Sequence, residues 1–309
     1  MAVLEGERIL ITGATGQVAH PVAQALAATN EVWAVARFRS RRARARLEDA
    51  GVHCLTVDLA DPDLSGLPGG ITVVCNFAVA HTQDWDADLA VNAEAAGLLM
   101  ARCRDARAVL HVSSTGVYRP AGDHRLVETD PLGDSHAPIG LGTYSITKIA
   151  AEAVVRAAAR MFDLPTTIAR LNVPYGNGFG WPFIHLAMMR AGQPVDVHVD
   201  GPCVYNPIHL DDIVGQMPAL LDAASVPATI VNWAGSEVVA VEDWCAWLGE
   251  LTGIEPTFRR TEAALASVAV DTTRLTSIAG PATVAWRDGF RAMVEHERAE
   301  PGPAEPAPA

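Results

Sequence analysis

Short apolar runs recur through the first 171 positions, and longer stretches with helical spacing separate several of them. The runs fall at 8–12, 31–36, 52–57, 71–76, 108–113 and 166–171. The helical stretches at 18–28, 87–104 and 144–161 are rich in alanine. Strands that are apolar almost throughout are buried on both faces, so this alternation predicts a parallel sheet with helices on each side. Right-handed crossovers then give an α/β, doubly wound parallel sheet of the Rossmann type, with ligands at the carboxyl ends of its strands.

Beyond Leu171 the texture changes. Glycine and proline crowd positions 173–182, and helical patterns follow at 183–190, 211–223, 241–251 and 284–296. The expected division is a dinucleotide-binding domain at 1–171 and a smaller C-terminal substrate-binding region at 172–298. Segments at about 206–233, such as the apolar run 229–233, are expected to return to the first domain. Positions 299–309 are almost all Pro, Ala, Glu and Gly and are expected to form a disordered tail.

Charge narrows the partners. Lys and Arg number 23 against 36 Asp and Glu, a net charge of −13, which repels nucleic acid and anionic membrane surfaces. The five cysteines are scattered, and none lies in a C-x-x-C pair. They read as buried thiols of a reducing compartment, with no metal site. The opening residues are polar and acidic, and no apolar run reaches spanning length, so a cytoplasmic protein is expected.

The first strand runs into Thr12-Gly13-Ala14-Thr15-Gly16-Gln17-Val18-Ala19. Gly13 permits a tight turn, Gly16 lets backbone approach a phosphate, and small Ala19 lets helix and strand pack closely. Gly13, Thr15, Gly16, Gln17 and Val18 are therefore expected to hold a pyrophosphate, although a plain βα turn has the same look. The second strand ends Ala36-Arg37-Phe38-Arg39, with no carboxylate to take a ribose hydroxyl. A guanidinium there suits a ribose 2′-phosphate, so NADP(H) is favoured over NAD(H) through Arg37. Arg44 and Arg46 read as a solvated helix face. Asp58-Leu59 closes the third strand, where Asp58 could accept from the adenine amino group or cap a turn. Small residues at the fourth strand end, Phe77-Ala78-Val79, would let backbone lie close to the cofactor.

Tyr144 and Lys148 share one helix face. A free phenol ionises near pH ~10. A nearby ammonium would lower that value and make Tyr144 a usable acid or base. Ser114, at the end of the fifth strand, could hold the same substrate oxygen.

With these motifs in place the chain resembles the extended short-chain dehydrogenase/reductase family, in its NAD(P)-dependent epimerase/dehydratase branch. The resemblance runs from Arg8 to Glu297. It rests on the T-G-A-T-G turn, Asp58-Leu59, Asn92, Ser113-Ser114 followed by Val117-Tyr118, Tyr144-x-x-x-Lys148, Arg170, Asn172, Pro174-Tyr175-Gly176 and Ile208-His209-Leu210-Asp211-Asp212. It implies a Ser114–Tyr144–Lys148 triad, cofactor contacts at Asn92, Asn172 and Val173, and a homodimer formed by the helices at 87–104 and 144–161. The substrate set read from the same segments is His81, Ser114, Thr115, Asn172, Trp181 and Tyr205.

Two departures bear on the chemistry. Dehydratases of this branch carry Asp-Glu where this chain has Thr115-Gly116, so water elimination is not expected. Nucleotide-sugar enzymes of the branch place an Arg where Tyr205 stands, which argues for a less charged substrate unless Arg259 or Arg260 compensates. Trp181 belongs to an aromatic stretch, 179–183, that could cover a substrate or pack in the core. His209 with Asp211 and Asp212 is not read as a metal site, because Asp211 stands where a helix N-cap belongs. The expected activity is hydride transfer between a nicotinamide cofactor and a secondary alcohol or carbonyl compound. Epimerisation of a sugar or nucleotide sugar by transient oxidation, and non-catalytic dinucleotide sensing, are the alternatives.

Overall fold

The computed structural model describes residues 4–299. Its centre is a seven-stranded parallel sheet built from β1 (Arg8–Thr12), β2 (Glu31–Ala36), β3 (His53–Thr56), β4 (Val73–Asn76), β5 (Ala108–Ser114), β6 (Thr166–Leu171) and β11 (Thr229–Trp233). Their spatial order is β11-β6-β5-β4-β1-β2-β3. Chain order reverses between β1 and β4, and the crevice at such a switch point is where a ligand binds in this class of sheet. The strand cores are apolar because both faces are covered. One layer of buried side chains includes Ile9, Ile11, Leu110 and Val112, and the other includes Leu10, Val74, Val109 and Ile168.

Helices α1 (Ala19–Leu26), α2 (Arg41–Asp49) and α5 (Tyr144–Met161) alternate with these strands. The helical stretch predicted at 87–104 is one rod in three parts: α3 (Trp85–Leu89), a π-helical turn (Ala90–Glu94) and α4 (Ala95–Arg102). A π turn widens a helix by one residue, commonly at a functional site. This one carries Asn92.

The C-terminal part has its own core, centred on Tyr175, Tyr205, Trp244 and Phe290. It gathers α6 (Trp181–Arg190), α8 (Val241–Thr252) and α10 (Trp286–Ala299). Three two-stranded ribbons edge it: β10 (Ile208–His209) with β7 (Pro174–Tyr175), β12 (Val239–Ala240) with β9 (Val204–Tyr205), and β13 (Phe258–Arg260) with β8 (Val195–Val197). Residues 210–233 pack with the main sheet instead. Ile213, Met217 and Leu220 of α7 (Leu210–Asp222) pack in the core beneath the main sheet, and β11 pairs in parallel with β6. Helix α9 (Thr273–Ala279) lies against α7 and β11. Of the stretch expected as a tail, Ala299 closes α10 and residues 300–309 lie outside the described residues.

The start of α7 differs from expectation. Its N-cap is His209, whose Nδ1 accepts from the Asp211 backbone N–H at 3.2 Å. Asp211 thus sits inside the first turn. Asp212 serves a separate purpose and accepts from the Thr283 N–H and hydroxyl and from the Val284 N–H.

Candidate active site

The glycine turn is built by close backbone approach. Gly13 has φ +68°, and a Cβ there would stand 2.9 Å from Ala78 N and Cα and the Phe77 carbonyl carbon. The turn after β1 and the end of β4 therefore meet with nothing between them, which only glycine permits. Thr12 reinforces the junction: its hydroxyl donates to Asn76 Oδ1 and accepts from the Ala78 N–H at 3.2 Å. Helix α1 has no side-chain cap, and Thr15, Gly16 and Gln17 are exposed ahead of it. Uncapped amides at a helix N-terminus beside an open glycine turn fit a pyrophosphate.

Beyond β2 the chain turns through Phe38, a non-glycine residue at φ +43° whose ring is buried. Arg44 lies over that ring at 5.4 Å and pairs with Glu48 at 2.8 Å. Anchoring Phe38 leaves Arg37 and Arg39 exposed on either side. Neither forms an ion pair among the described residues. Asp58 is exposed, and its carboxylate accepts from the Ala60 N–H at 3.1 Å, closing a local turn. Leu59 packs on the core.

The catalytic candidates converge at the carboxyl end of β5. Ser114 Oγ accepts from the Gly116 N–H at 3.0 Å and hydrogen-bonds the Tyr144 phenol. Lys148 is buried, with Nζ donating to the Val112 carbonyl at 3.0 Å. Here the expected phenol chemistry is corrected. Burial raises the Tyr144 phenol above its ordinary value, and the Ser114 hydrogen bond opposes this only in part. Lys148 itself is pushed down to about 8 by burial, with Glu152 opposing.

Several expected ligand contacts are corrected by hydrogen bonding. Tyr205 is 3% exposed, and its hydroxyl donates to the carbonyls of Leu265 and Ala266, so it is a core residue and not a substrate contact. Trp181 packs edge-on against it at 5.3 Å. Asn172 is spent on the chain: its amide donates to the Val268 carbonyl at 2.8 Å, and its side-chain oxygen accepts from the Asn206 N–H. Asn92 is spent likewise. It accepts from the Ala80 N–H at 2.7 Å and donates to the Ala80 carbonyl and to the Thr147 hydroxyl. It braces the β4 loop against α5. Thr115 is buried, Val173 half-buried, and Val79 and His81 exposed beyond β4. Arg259 pairs with Asp196 at 2.6 Å, and Arg260 lies 3.6 Å from Glu242, so both guanidinia have acidic partners.

Sequence reasoning missed two residues. Buried Asp88 accepts from the Thr82 N–H and hydroxyl, the Gln83 N–H and, at 2.6 Å, the Thr143 hydroxyl. It clasps the loop after β4 to the residue preceding Tyr144. His136, in the loop before α5, tilts its ring against Tyr144 with centroids 4.7 Å apart. Neither has a linear motif. Their only trace is an Asp four positions before Asn92 and a lone His eight before Tyr144. Among the described residues no cluster of three or more His, Cys, Asp or Glu side chains could hold a metal ion, and no helix is long and apolar enough to cross a membrane.

Comparison with known proteins agrees with this geometry. A family model described as the NAD dependent epimerase/dehydratase family matches residues 9–234. The 2′-dehydrokanamycin reductase of Streptomyces kanamyceticus is 28% identical over 234 residues, 74% of this chain and 61% of that protein. A trifunctional UDP-glucose 4,6-dehydratase, UDP-4-keto-6-deoxy-D-glucose 3,5-epimerase and UDP-4-keto-L-rhamnose reductase of Arabidopsis thaliana is 30% identical over 155 residues, 48% of this chain and 22% of that one. The chain thus spans less than two thirds of either relative. UDP-glucuronic acid 4-epimerase from Bacillus cereus, solved with UDP-glucuronic acid and NAD, superposes with a TM-score of 0.81 at 19% identity, covering 94% of this chain and 99% of the epimerase.

Proposed function

The chain belongs to the NAD dependent epimerase/dehydratase family, and from that premise we propose that it is a reductase delivering hydride from NADPH to a ring ketone. It is an enzyme of the extended short-chain type and uses a nicotinamide dinucleotide. The observation that supports the reductive direction is the similarity to the 2′-dehydrokanamycin reductase of Streptomyces kanamyceticus. Tyr144, a phenol beside Ser114 at the carboxyl end of β5, is protonated at neutral pH and can supply the proton that the reduced carbonyl oxygen needs.

The dinucleotide supplies the hydride when bound. Tyr144 Oη gives its proton to the carbonyl oxygen as negative charge gathers there. Ser114 Oγ holds that same oxygen, oriented by the Gly116 N–H. Lys148, held on the Val112 carbonyl, keeps a positive charge one helical turn along the same face. The glycine turn and the bare start of α1 hold the pyrophosphate, and the loop braced by Asn92 and Asp88 lies beside it.

NADPH is preferred over NADH because Arg37 and Arg39 stand free at the end of β2. Arg37→Ala should weaken NADPH binding about tenfold or more and leave NADH nearly unchanged. Equal losses for the two cofactors would refute the preference. The substrate lacks the anionic diphosphate of a nucleotide sugar: Tyr205 lies in the core, and Arg259 and Arg260 already have acidic partners. A 2′-keto aminoglycoside of the kind named for the Streptomyces relative is of this class. A homodimer through α4 and α5 belongs to the same proposal, supported by the exposed Leu98, Ile146 and Met161. Five free thiols suit a cytoplasmic setting.

The test follows NADPH absorbance with 2′-dehydrokanamycin and, separately, UDP-glucuronic acid. One NADPH consumed per ketone reduced supports the reductase. Interconversion of nucleotide-sugar epimers at constant cofactor makes the chain an epimerase. Cofactor binding without turnover of any ketone favours a dinucleotide sensor.

A further inference from the structure

Gly116 is buried two residues after the catalytic-site serine, Ser114, and the space a side chain would take there is already filled. A Cβ on Gly116 would stand 2.4 Å from His136 Cε1, 2.9 Å from His136 Nδ1 and 3.2 Å from Ser114 Oγ. The imidazole of His136 therefore lies in the hollow that Gly116 leaves, close to Ser114. It also packs against the Tyr144 ring, tilted at 41° with centroids 4.7 Å apart.

The loop is fastened so that the ring stays there. Asp134 Oδ1 accepts from the N–H groups of His136 and Ala137, both at 3.0 Å. The Ser135 hydroxyl donates to the Gly116 carbonyl at 2.9 Å. That hydroxyl has one proton and has spent it. Its contact with His136 Nδ1, also 2.9 Å, is then a bond donated by Nδ1. Ser145 Oγ, the residue after Tyr144, stands 3.2 Å from the same nitrogen. The imidazole is neutral, because burial pushes it down to about 4. A neutral ring locked at one nitrogen and packed on the phenol fixes the phenol without competing for its proton.

We propose that His136 is the positioning residue for Tyr144: seated over Gly116, it holds the phenol against Ser114 in the orientation that proton transfer needs. The proposal rests on Tyr144 being the proton donor, and the test separates the two. Tyrosine is labelled with carbon-13 in the ring; the chain has only four tyrosines, and Tyr144→Phe assigns the signal of interest. His136→Ala should move the Tyr144 signal and leave those of Tyr118, Tyr175 and Tyr205 in place. Gly116→Ala should move it in the same way, because its new methyl group evicts the imidazole. The double variant should move it no further than either single change. His136→Phe, which keeps a ring, should sit nearer the wild type than His136→Asn, which keeps only a polar contact. On 2′-dehydrokanamycin, kcat should follow the signal and fall about tenfold or more while KM and NADPH affinity hold, since a slightly misplaced group can cost up to about a hundredfold.

An unmoved Tyr144 signal in His136→Ala overturns the proposal. So do additive effects of the two substitutions, and so does a moved signal with unchanged kcat. Full turnover by Tyr144→Phe would instead overturn the proton-donor reading. If the ketone is not turned over, the signals alone decide the positioning claim.

Discussion

Replacing Glu152 by glutamine should unfold the protein far more easily while changing almost no volume. Glu152 is fully buried on α5, four residues after Lys148. It accepts from the Ser113 hydroxyl at 2.6 Å and from Arg170 Nε and Nη2 at 2.9 and 2.7 Å. The Arg170 side chain is 3% exposed. It also donates to the Glu128 carbonyl and stacks over Tyr118 at 4.8 Å. The amide of a glutamine would keep one acceptor, turn a donor towards groups that already donate, and leave the guanidinium charge buried without a counter-charge. Breaking a buried pair on one side typically costs about 3–5 kcal/mol. At roughly 2–4 °C per kcal/mol for a chain of this size, the melting temperature should fall by about 10 °C. Urea unfolding followed by circular dichroism measures the loss. Removing both partners, as Glu152→Met with Arg170→Met, should recover most of it, because no charge is then left unpaired. A Glu152→Gln loss below about 1 kcal/mol, or a double variant worse than the single, would refute the reasoning. The same change should lower Lys148 further, since Glu152 is what opposes its downward shift.

Acid sensitivity should come from three imidazoles, His111 buried and His136 and His185 half-buried. Burial pushes His111 down to about 3 and His136 and His185 to about 4, from an ordinary 6.5. Between those values the unfolded chain binds more protons than the folded one, so stability falls as pH is lowered from 6.5, by at most about 1.4 kcal/mol per pH unit for each ring. A flat unfolding free energy from about pH 6.5 to pH 5 would contradict this. Gly13→Ala should cost about 1–3 kcal/mol from its left-handed φ alone, and more from the 2.9 Å contacts with residues 77 and 78. It should also abolish NADPH binding in a fluorescence titration; retained affinity would argue against the glycine turn as the pyrophosphate cradle.

The main sheet was legible because its strands are buried on both faces, and such strands announce themselves as unbroken apolar runs. Arg8–Thr12, Glu31–Ala36 and Thr166–Leu171 match their runs end to end. Residues 52 and 57 are apolar yet fall outside β3, which pairs with β2 only from Trp33 to Ala36. The ribbons of the C-terminal part, two or three residues to a strand, are too short for any period to show. The triad could be read because its members sit on a strand end and on one helix face. Side-chain direction could not. Tyr205 stands at a position that reads as substrate-facing, yet its ring turns into an aromatic core whose carbonyl acceptors lie some sixty residues away. Asn92 and Asn172 are polar and buried, and distant backbone groups use up their hydrogen bonds. The phenol differs from expectation for a similar reason. Spacing places Lys148 beside Tyr144, but only the fold reveals that the ammonium is bound to Val112 and that burial governs the phenol.

The central claim, that Tyr144 donates the proton as hydride passes from NADPH to a ketone, is tested most directly by comparing wild type with Tyr144→Phe on 2′-dehydrokanamycin. NADPH consumption and NADPH affinity are measured on the same preparations. The account predicts one NADPH consumed per ketone by the wild type. It predicts a loss of turnover of about a hundredfold to ten-thousandfold in the variant, with affinity for NADPH unchanged. Undiminished turnover by Tyr144→Phe would contradict it.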